Sequence, residues 1–340
     1  EDGSSTQSLI SDVVNHRFEN RRRYHGYRAG SESLRLVPYR VTDKVQEYPL
    51  PNDDTEQARL DLMHEASLLT FHGKLVLHPE TSNGGRVLDL GTGTGIWAVD
   101  YGQFARDFPL NSKLISCKAD KNLDAHVIGV DLSPIQHEWT PSNCTFEIDD
   151  IEEDWTLQHK FRLIFCRSMI GAITDWQALA QKAFQNLEPG GYFEIQDHLY
   201  PLFGNDRNDG KFEKTHLHEW SVNMVEAAKR SGRPIDVAPR FTKILEDAGF
   251  IAVTEETRPV PIGGWPRDPT LKLIGRIVGE MLTDNLEGIS SALFTRNLKW
   301  TEEEMRVYLA RVRKDLRVHD MMALSRAYVV WGRKPLDAEP

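Results

Sequence analysis

Cysteine is scarce in this chain. Three occur in 340 residues, Cys117, Cys144 and Cys166, with no C-x-x-C pair. That argues against a disulfide framework and a thiolate zinc site, and it matches a reducing compartment, cytoplasmic or nuclear. Long apolar runs are missing as well. No stretch approaches the ~18 residues of a membrane-spanning helix, and no signal peptide is expected from the polar opening Glu1 to Ser8. An excess of positive charge is also absent. The formal net charge is −10, whereas binding nucleic-acid phosphates wants a basic face, and Arg21-Arg22-Arg23 is too short a run to supply one. Metal-ligand spacing fails too: His216 and His218 on a helix would point about 200° apart.

What is present is enough apolar material for a sizeable core, 40% hydrophobic and 9% aromatic. The length fits one large α/β domain with additions. The chain is organised around Arg86 to Trp97, Arg-Val-Leu-Asp-Leu-Gly-Thr-Gly-Thr-Gly-Ile-Trp. Val87, Leu88 and Leu90 make a buried parallel strand, Gly91, Gly93 and Gly95 a turn, and Ile96 to Phe104 a helix. This is the first half of a nucleotide-binding βαβ unit, with glycines that let a ligand approach the backbone. The spacing is G-x-G-x-G, with Ile96 where a dinucleotide fingerprint needs its last glycine. Asp89, just before the glycines, gives nothing to a pyrophosphate but suits a cationic ligand such as S-adenosylmethionine.

Further strands follow at His126–Val130, Thr145–Ile148, Leu163–Cys166 and Tyr192–Gln196. They end in Asp131, Asp149-Asp150-Ile151, Arg167-Ser168 and Asp197-His198 respectively. Asp131 stands 36 residues beyond Gly95, where about 20 is usual, so Phe108 to Ala125 reads as an insertion. The alternation predicts a Rossmann-like, doubly wound, mostly parallel sheet, completed to seven strands by Phe250–Thr254 and Ala327–Trp331. In such sheets ligands bind at the carboxyl ends of the strands, where all these polar residues fall.

Helices are predicted from Asp53, with Glu56 in a capping-box position, and from Asp175, over His216–Ala228, Leu271–Leu282 and Glu302–Leu316. Another follows at Phe241–Ala248. The first has an apolar face of Leu62, Ala66 and Leu69 and a polar stripe of Asp61, His64 and Glu65. That stripe is solvated unless the helix crosses a ligand site. Pro259 to Pro269 reads as a loop and Ser31 to Val45 as an inserted one. Residues 1–47 form an N-terminal arm carrying Tyr24 and His25, either a latch over the ligand or a surface arm. Residues 48–340 form the main domain, with helical lid elements at about 199–240 and 260–325.

Together these pieces resemble the class I S-adenosylmethionine-dependent methyltransferases, and more narrowly the fungal LaeA-like family of velvet-associated regulators and secondary-metabolism methyltransferases. The resemblance rests on Arg23-Tyr24-His25, Leu50-Pro51-Asn52-Asp53, Arg59-Leu60-Asp61-Leu62 with His64, and Val87 to Ala98. It extends through Gly129-Val130-Asp131-Leu132-Ser133-Pro134-Ile135-Gln136, Phe146 to Asp150, Arg167-Ser168 and Trp331 to Pro335. It implies that Gly91, Thr92, Gly93 and Gly95 lie against the cofactor with Asp89, that Asp131 and Leu132 take the ribose, and that Asp149, Asp150 and Ile151 take the adenine. Arg167 and Ser168 would lie at the methionine end, closed over by Tyr24, His25 and His64.

A methyl transfer needs alignment first and a base only if the acceptor must lose a proton. His198 is the candidate base or else a surface histidine, and Tyr24 and His25 are the other catalytic candidates. Three readings follow: a methyltransferase acting on a small molecule, a nuclear regulatory subunit with velvet-type protein partners, and a fold turned to another reaction such as cyclisation. An apolar pocket walled by Trp220, Met224, Trp265 and the helices after Leu271 would favour the first or third. An exposed apolar patch would favour the second.

Overall fold

The computed structural model describes residues 17–20, 22–25, 48–79, 84–103, 124–136, 140–318 and 321–338. The expected insertions at Ser31–Val45 and before Asp124, with Cys117 and Arg21, lie outside these residues.

Eight strands form the main sheet, one more than expected. β3 (Gly85–Leu90), β4 (Ala125–Asp131), β5 (Cys144–Ile148), β6 (Phe161–Arg167) and β7 (Leu187–His198) run parallel in the order β5-β4-β3-β6-β7. β10 (Ala323–Arg333) pairs antiparallel with β7, with β9 (Ile251–Ile262) and with the two-residue β8 (Phe203–Gly204), the unexpected strand. The order reverses between β3 and β6, which opens a crevice beyond their carboxyl ends. A separate hairpin, β1 (Arg17–Glu19) with β2 (Arg22–Tyr24), belongs to the arm.

Two elements outrun the sequence expectation. β9 continues through Pro259 and Pro261, where a loop was expected. It is an edge strand bonded only to β10, so a missing proline N–H costs no ladder bond on its open side. β7 starts at Leu187, drawing the expected Glu188–Gly191 turn into the sheet through a shift in its pairing with β6.

Among the described residues seven helices of two turns or more accompany this sheet: α1 (Asp54–Thr70), α2 (Ile96–Gln103), α3 (Trp176–Asn186), α4 (His216–Arg230), α5 (Phe241–Asp247), α6 (Pro269–Ala292) and α7 (Glu302–Leu316). Alternation along β6 sends Leu163 and Phe165 into one core and Ile164 and Cys166 into the other. α3 and α5 cover the second core through Trp176, Leu179, Phe241 and Leu245. On the first, Trp97 stacks on Phe165 at 3.8 Å between ring centroids, pinning α2 to the sheet directly after the glycine turn. Cys144 and Cys166 are buried free thiols.

α1 departs most from its expected pattern. Asp53 caps it as expected, accepting from the Glu56 N–H at 3.1 Å. Leu62, however, is 43% exposed, and the buried side is Glu56, Arg59, His64, Ala66, Ser67 and Thr70. Of the expected polar stripe only His64 is buried, with Asp61 half-buried and Glu65 exposed. The polar residues turned inward are Glu56, Arg59 and His64, because α1 lies along α6 and roofs the crevice, where partners satisfy them.

α7 opens with a complete capping box, Thr301 accepting from the Glu304 N–H while the Glu304 carboxylate accepts from the Thr301 N–H at 2.8 Å. Thr301→Ala removes the cap at an exposed end. We expect a loss of about 1 kcal/mol, read as a lower urea midpoint at unchanged slope.

Candidate active site

The glycine turn at the end of β3 carries three positive φ angles, but the glycines serve different ends. A Cβ on Gly91 would fall 2.2 Å from the Met169 sulfur, and one on Gly95 would fall 2.4 Å from the Phe146 ring. These two glycines are required by packing inside the protein. A Cβ on Gly93 would meet only Leu60, at 3.2 Å, so Gly93 is the one that keeps the backbone open to a ligand. Gly91 and Gly93 line the crevice, whereas Gly95 lies behind it against Phe146.

A cleft of about 1200 Å3, its open mouth included, runs along the carboxyl ends of β3, β4 and β6. Asp131, Leu132, Asp149, Asp150, Ile151, Arg167 and Ser168 all line it, as expected. Asp131 accepts from the Gly93 N–H at 2.8 Å and the Ser133 N–H at 3.1 Å, which ties the β4 end to the glycine turn. Burial raises its carboxyl to about 6. Asp149 accepts from the Asp150 N–H at 2.8 Å and Asp150 from the Glu152 N–H at 2.8 Å, so the acidic turn is braced from within. Glu152, which continues the acidic run, is held by Arg233 at 2.9 Å.

A smaller cavity of about 420 Å3 adjoins it, lined by Asp89, Thr92, Leu60, Met63, Arg167 and Ser168 among others. Asp89 accepts from the Thr92 hydroxyl at 2.6 Å, and burial raises its carboxyl to about 6. Arg167 donates to His64 Nδ1 at 2.8 Å. A guanidinium cannot accept, so that nitrogen is unprotonated and His64 Nε2 carries the hydrogen it gives Asp100, at 2.8 Å. Burial lowers the His64 pKa, keeping this tautomer neutral. His64 lines none of these cavities: it stands behind Arg167 and aims it, instead of closing over the ligand.

The third cavity, about 1150 Å3 with its mouth, is mostly apolar. Met224, Val260, Val278, Met281, Leu282 and Ile289 wall it, with Arg59, Asp197, His198 and Tyr200 among its polar lining. Of the aromatic residues expected to wall it, Trp220 is buried on Ser290 and Trp265 bonds Ala323; neither lines the cavity. Asp197 accepts from the Met169, Ile170 and His198 N–H groups at 2.7–2.9 Å. His198 is no surface histidine. Burial, then the charges of Arg167 and Arg59, lower its pKa to about 4, so it is neutral near pH 7. Ser168, in the left-handed region at φ 57° just past β6, lines all three cavities.

The arm reaches the cleft. Arg22 clamps Asp53 through two bonds of 2.5 and 2.7 Å, and Asn52 and His25 both bond the Ser133 hydroxyl, at 3.1 and 2.6 Å. Tyr24 and His25 therefore wall the nucleotide cleft and line neither of the other cavities. The buried Tyr24 hydroxyl has no partner among the described residues. Sequence reasoning missed Tyr48, Glu56 and Arg59. The last two carried a signal, opposite charges three residues apart at a helix start, but such pairs are mostly solvated.

The residues fit S-adenosylmethionine: an open backbone at Gly93, a carboxylate at the β4 end, an orphan hydroxyl at Tyr24 and a cavity pairing Asp89 with Arg167. The chain is also similar to known methyltransferases. Residues 57–255 match the family described as "Methyltransferase domain". "Methyltransferase pytC" of Aspergillus terreus is 34% identical over 339 residues, 98% of this chain and 92% of that protein. "Secondary metabolism regulator laeA" of Monascus pilosus is 31% identical, covering 94% and 78%. "Protein-methionine methyltransferase laeA" of Emericella nidulans is 30% identical, covering 94% and 76%. Among solved structures, Haemonchus contortus phosphoethanolamine N-methyltransferase 2 with S-adenosyl-L-methionine is 18% identical, covering 82% of this chain and 52% of that one, TM-score 0.41. The chain belongs to the methyltransferase-domain family, as an S-adenosylmethionine-dependent methyltransferase of Rossmann-like fold.

The Asp131 carboxyl titrates near 6 when folded and near 4 when unfolded, so between these values the folded state holds a proton that the unfolded state has lost. This group therefore makes stability fall as pH rises from about 4 to about 6. Asp131→Asn should flatten that slope in urea titrations at several pH values.

Proposed function

We propose that this chain transfers a methyl group to a small molecule held in the apolar cavity, in fungal secondary metabolism. One observation carries the reading: the nucleotide cleft and the apolar cavity share Ser168 at the end of β6. The exposed large apolar side chains, such as Phe18, Val222, Ile251, Val307 and Leu336, come singly from different elements, which supports a small acceptor over velvet-type protein partners. The names of the relatives support the metabolic setting, and the scarcity of cysteine an intracellular one.

When bound, S-adenosylmethionine supplies a methyl group activated on a sulfonium centre. Asp131 and Leu132 would hold its ribose, Asp150 and Ile151 its adenine, and Arg167, aimed by His64, its carboxylate. Tyr24 and His25 act here as a latch on the nucleotide side and not as catalytic groups. α4 and α6 supply Met224, Met281 and Leu282 to the acceptor cavity, which supports the lid reading of 199–240 and 260–325. The apolar walls exclude water, and the fixed backbone around Ser168 supplies the alignment that the displacement needs. His198 borders the cavity as a neutral acceptor, too weak a base to ionise an amine or an alcohol.

Calorimetric titration with S-adenosylmethionine tests the reading. Wild type should bind at micromolar concentration, Asp131→Ala at least about tenfold more weakly, and Tyr24→Phe a few-fold more weakly, as loss of a charge-assisted and of a neutral hydrogen bond implies. No binding by folded wild type, or unchanged affinity in Asp131→Ala, would refute it.

A further inference from the structure

The wall between the nucleotide cleft and the apolar cavity contains a buried ion pair. Arg59 donates through Nε and Nη2 to the Glu56 carboxylate at 2.6–3.0 Å, both on α1 and both nearly inaccessible to water. The two ends face different spaces: Glu56 lines the nucleotide cleft, and Arg59 lines the apolar cavity. Burying such a pair costs several kcal/mol of desolvation per ion, and apolar residues of like volume generally serve stability as well or better. Its orientation is what apolar residues could not supply. The negative end faces the side that takes a sulfonium cofactor, and the positive end faces the acceptor.

The rest of the cavity agrees with that polarity. Among the described residues Arg59 has no bond beyond its pair with Glu56, and neither the His198 ring nor the Tyr200 hydroxyl bonds any of them. Both side chains line the same cavity as Arg59. The charges that act on His198 are those of Arg167 and Arg59, both positive. Among the described residues that line the cavity the acidic one is Asp197, already engaged by three backbone N–H groups.

Resting on the proposed methyltransferase reading, we infer that the acceptor is an elongated apolar molecule with one acidic oxygen, an enol, phenol or carboxylic acid, bound as its anion beside Arg59 with His198 and Tyr200 around it. An oxyanion forms its O–CH3 bond with its own electron pair while the S–CH3 bond breaks toward sulfur. The products are a neutral ether or ester and a neutral thioether, with no proton left to remove. A cavity whose histidine is a weak base is therefore sufficient for this acceptor. A cationic amine would instead meet the guanidinium end of the pair.

Calorimetry with three chains of equal length, decanoate, decan-1-ol and decylammonium, tests this at neutral pH. Decanoate should bind at least about tenfold more tightly than decan-1-ol, and decylammonium more weakly than either, as one charge-assisted hydrogen bond implies. Glu56→Gln with Arg59→Met removes both charges without orphaning either, and should bring decanoate and decan-1-ol within about twofold. Met281→Trp, or the milder Ile289→Phe if that variant melts early, should abolish decanoate binding and leave S-adenosylmethionine affinity unchanged. Equal or reversed preference in wild type, or a preference that survives loss of the pair, overturns the acceptor class. So does decanoate binding that survives a filled cavity. S-Adenosylmethionine titrated into the same samples separates that failure from failure of the methyltransferase reading, which alone predicts cofactor binding.

Discussion

A guanidinium at the end of β6 has to be held by something other than water, and the manner of its holding organises the site. Burial lowers the Arg167 pKa to about 10, and among the described residues its side chain is hydrogen-bonded to His64, which in turn donates to Asp100 on α2. His64 belongs to α1. The bond therefore draws α1 across the carboxyl edge of the sheet, with one side of the helix turned inward. Once α1 lies there, Glu56 reaches the nucleotide cleft and Arg59 the apolar cavity. Met63 closes the space between, lining the small cavity and the apolar one alike. The arm follows from the same placement, since the Asp53 that caps α1 is also the carboxylate that Arg22 clamps.

This arrangement separates two chemistries over a short distance. On the nucleotide side, short polar residues and backbone N–H groups at strand ends are satisfied by one another and present a few groups outward. In the apolar cavity, long side chains from α4, α6 and β9 form the walls, and Arg59, His198 and Tyr200 among them keep hydrogen-bonding capacity that no described residue uses. The boundary runs through α1 and Ser168. The Glu56–Arg59 pair sits at this boundary, with Glu56 lining one space and Arg59 the other.

The strand-turn-helix around Gly91 was legible in sequence because its determinants are local. An apolar run, a glycine turn and a cap act within a few residues, and the alternation of strands with helices follows from repeating them. The acidic ends of β4 and β5 were legible for the same reason, and they meet in the nucleotide cleft, whereas Asp197 at the end of β7 lines the apolar cavity. The limits of β7 and β9 were not, because turn-forming residues there are overridden by pairing with strands far away in the chain. The family resemblance places Gly95 against the ligand, yet only a packed structure shows the Phe146 ring occupying the space a side chain would need. His64 and His198 were ambiguous, since a histidine reads alike whether it is solvated, buried behind an arginine or lining a cavity.

The sequence by itself determined the family, the mostly parallel sheet and the polar residues that end its strands. Those properties depend on short-range patterns and on composition, which no tertiary arrangement can alter. Tertiary structure alone decided which glycine keeps the backbone open, which face of α1 is inside, where His198 sits and how the Glu56–Arg59 pair is oriented. Each of these depends on what lies within a few ångströms, and those neighbours come from segments up to two hundred residues apart, brought together only when the helices close over the sheet edge.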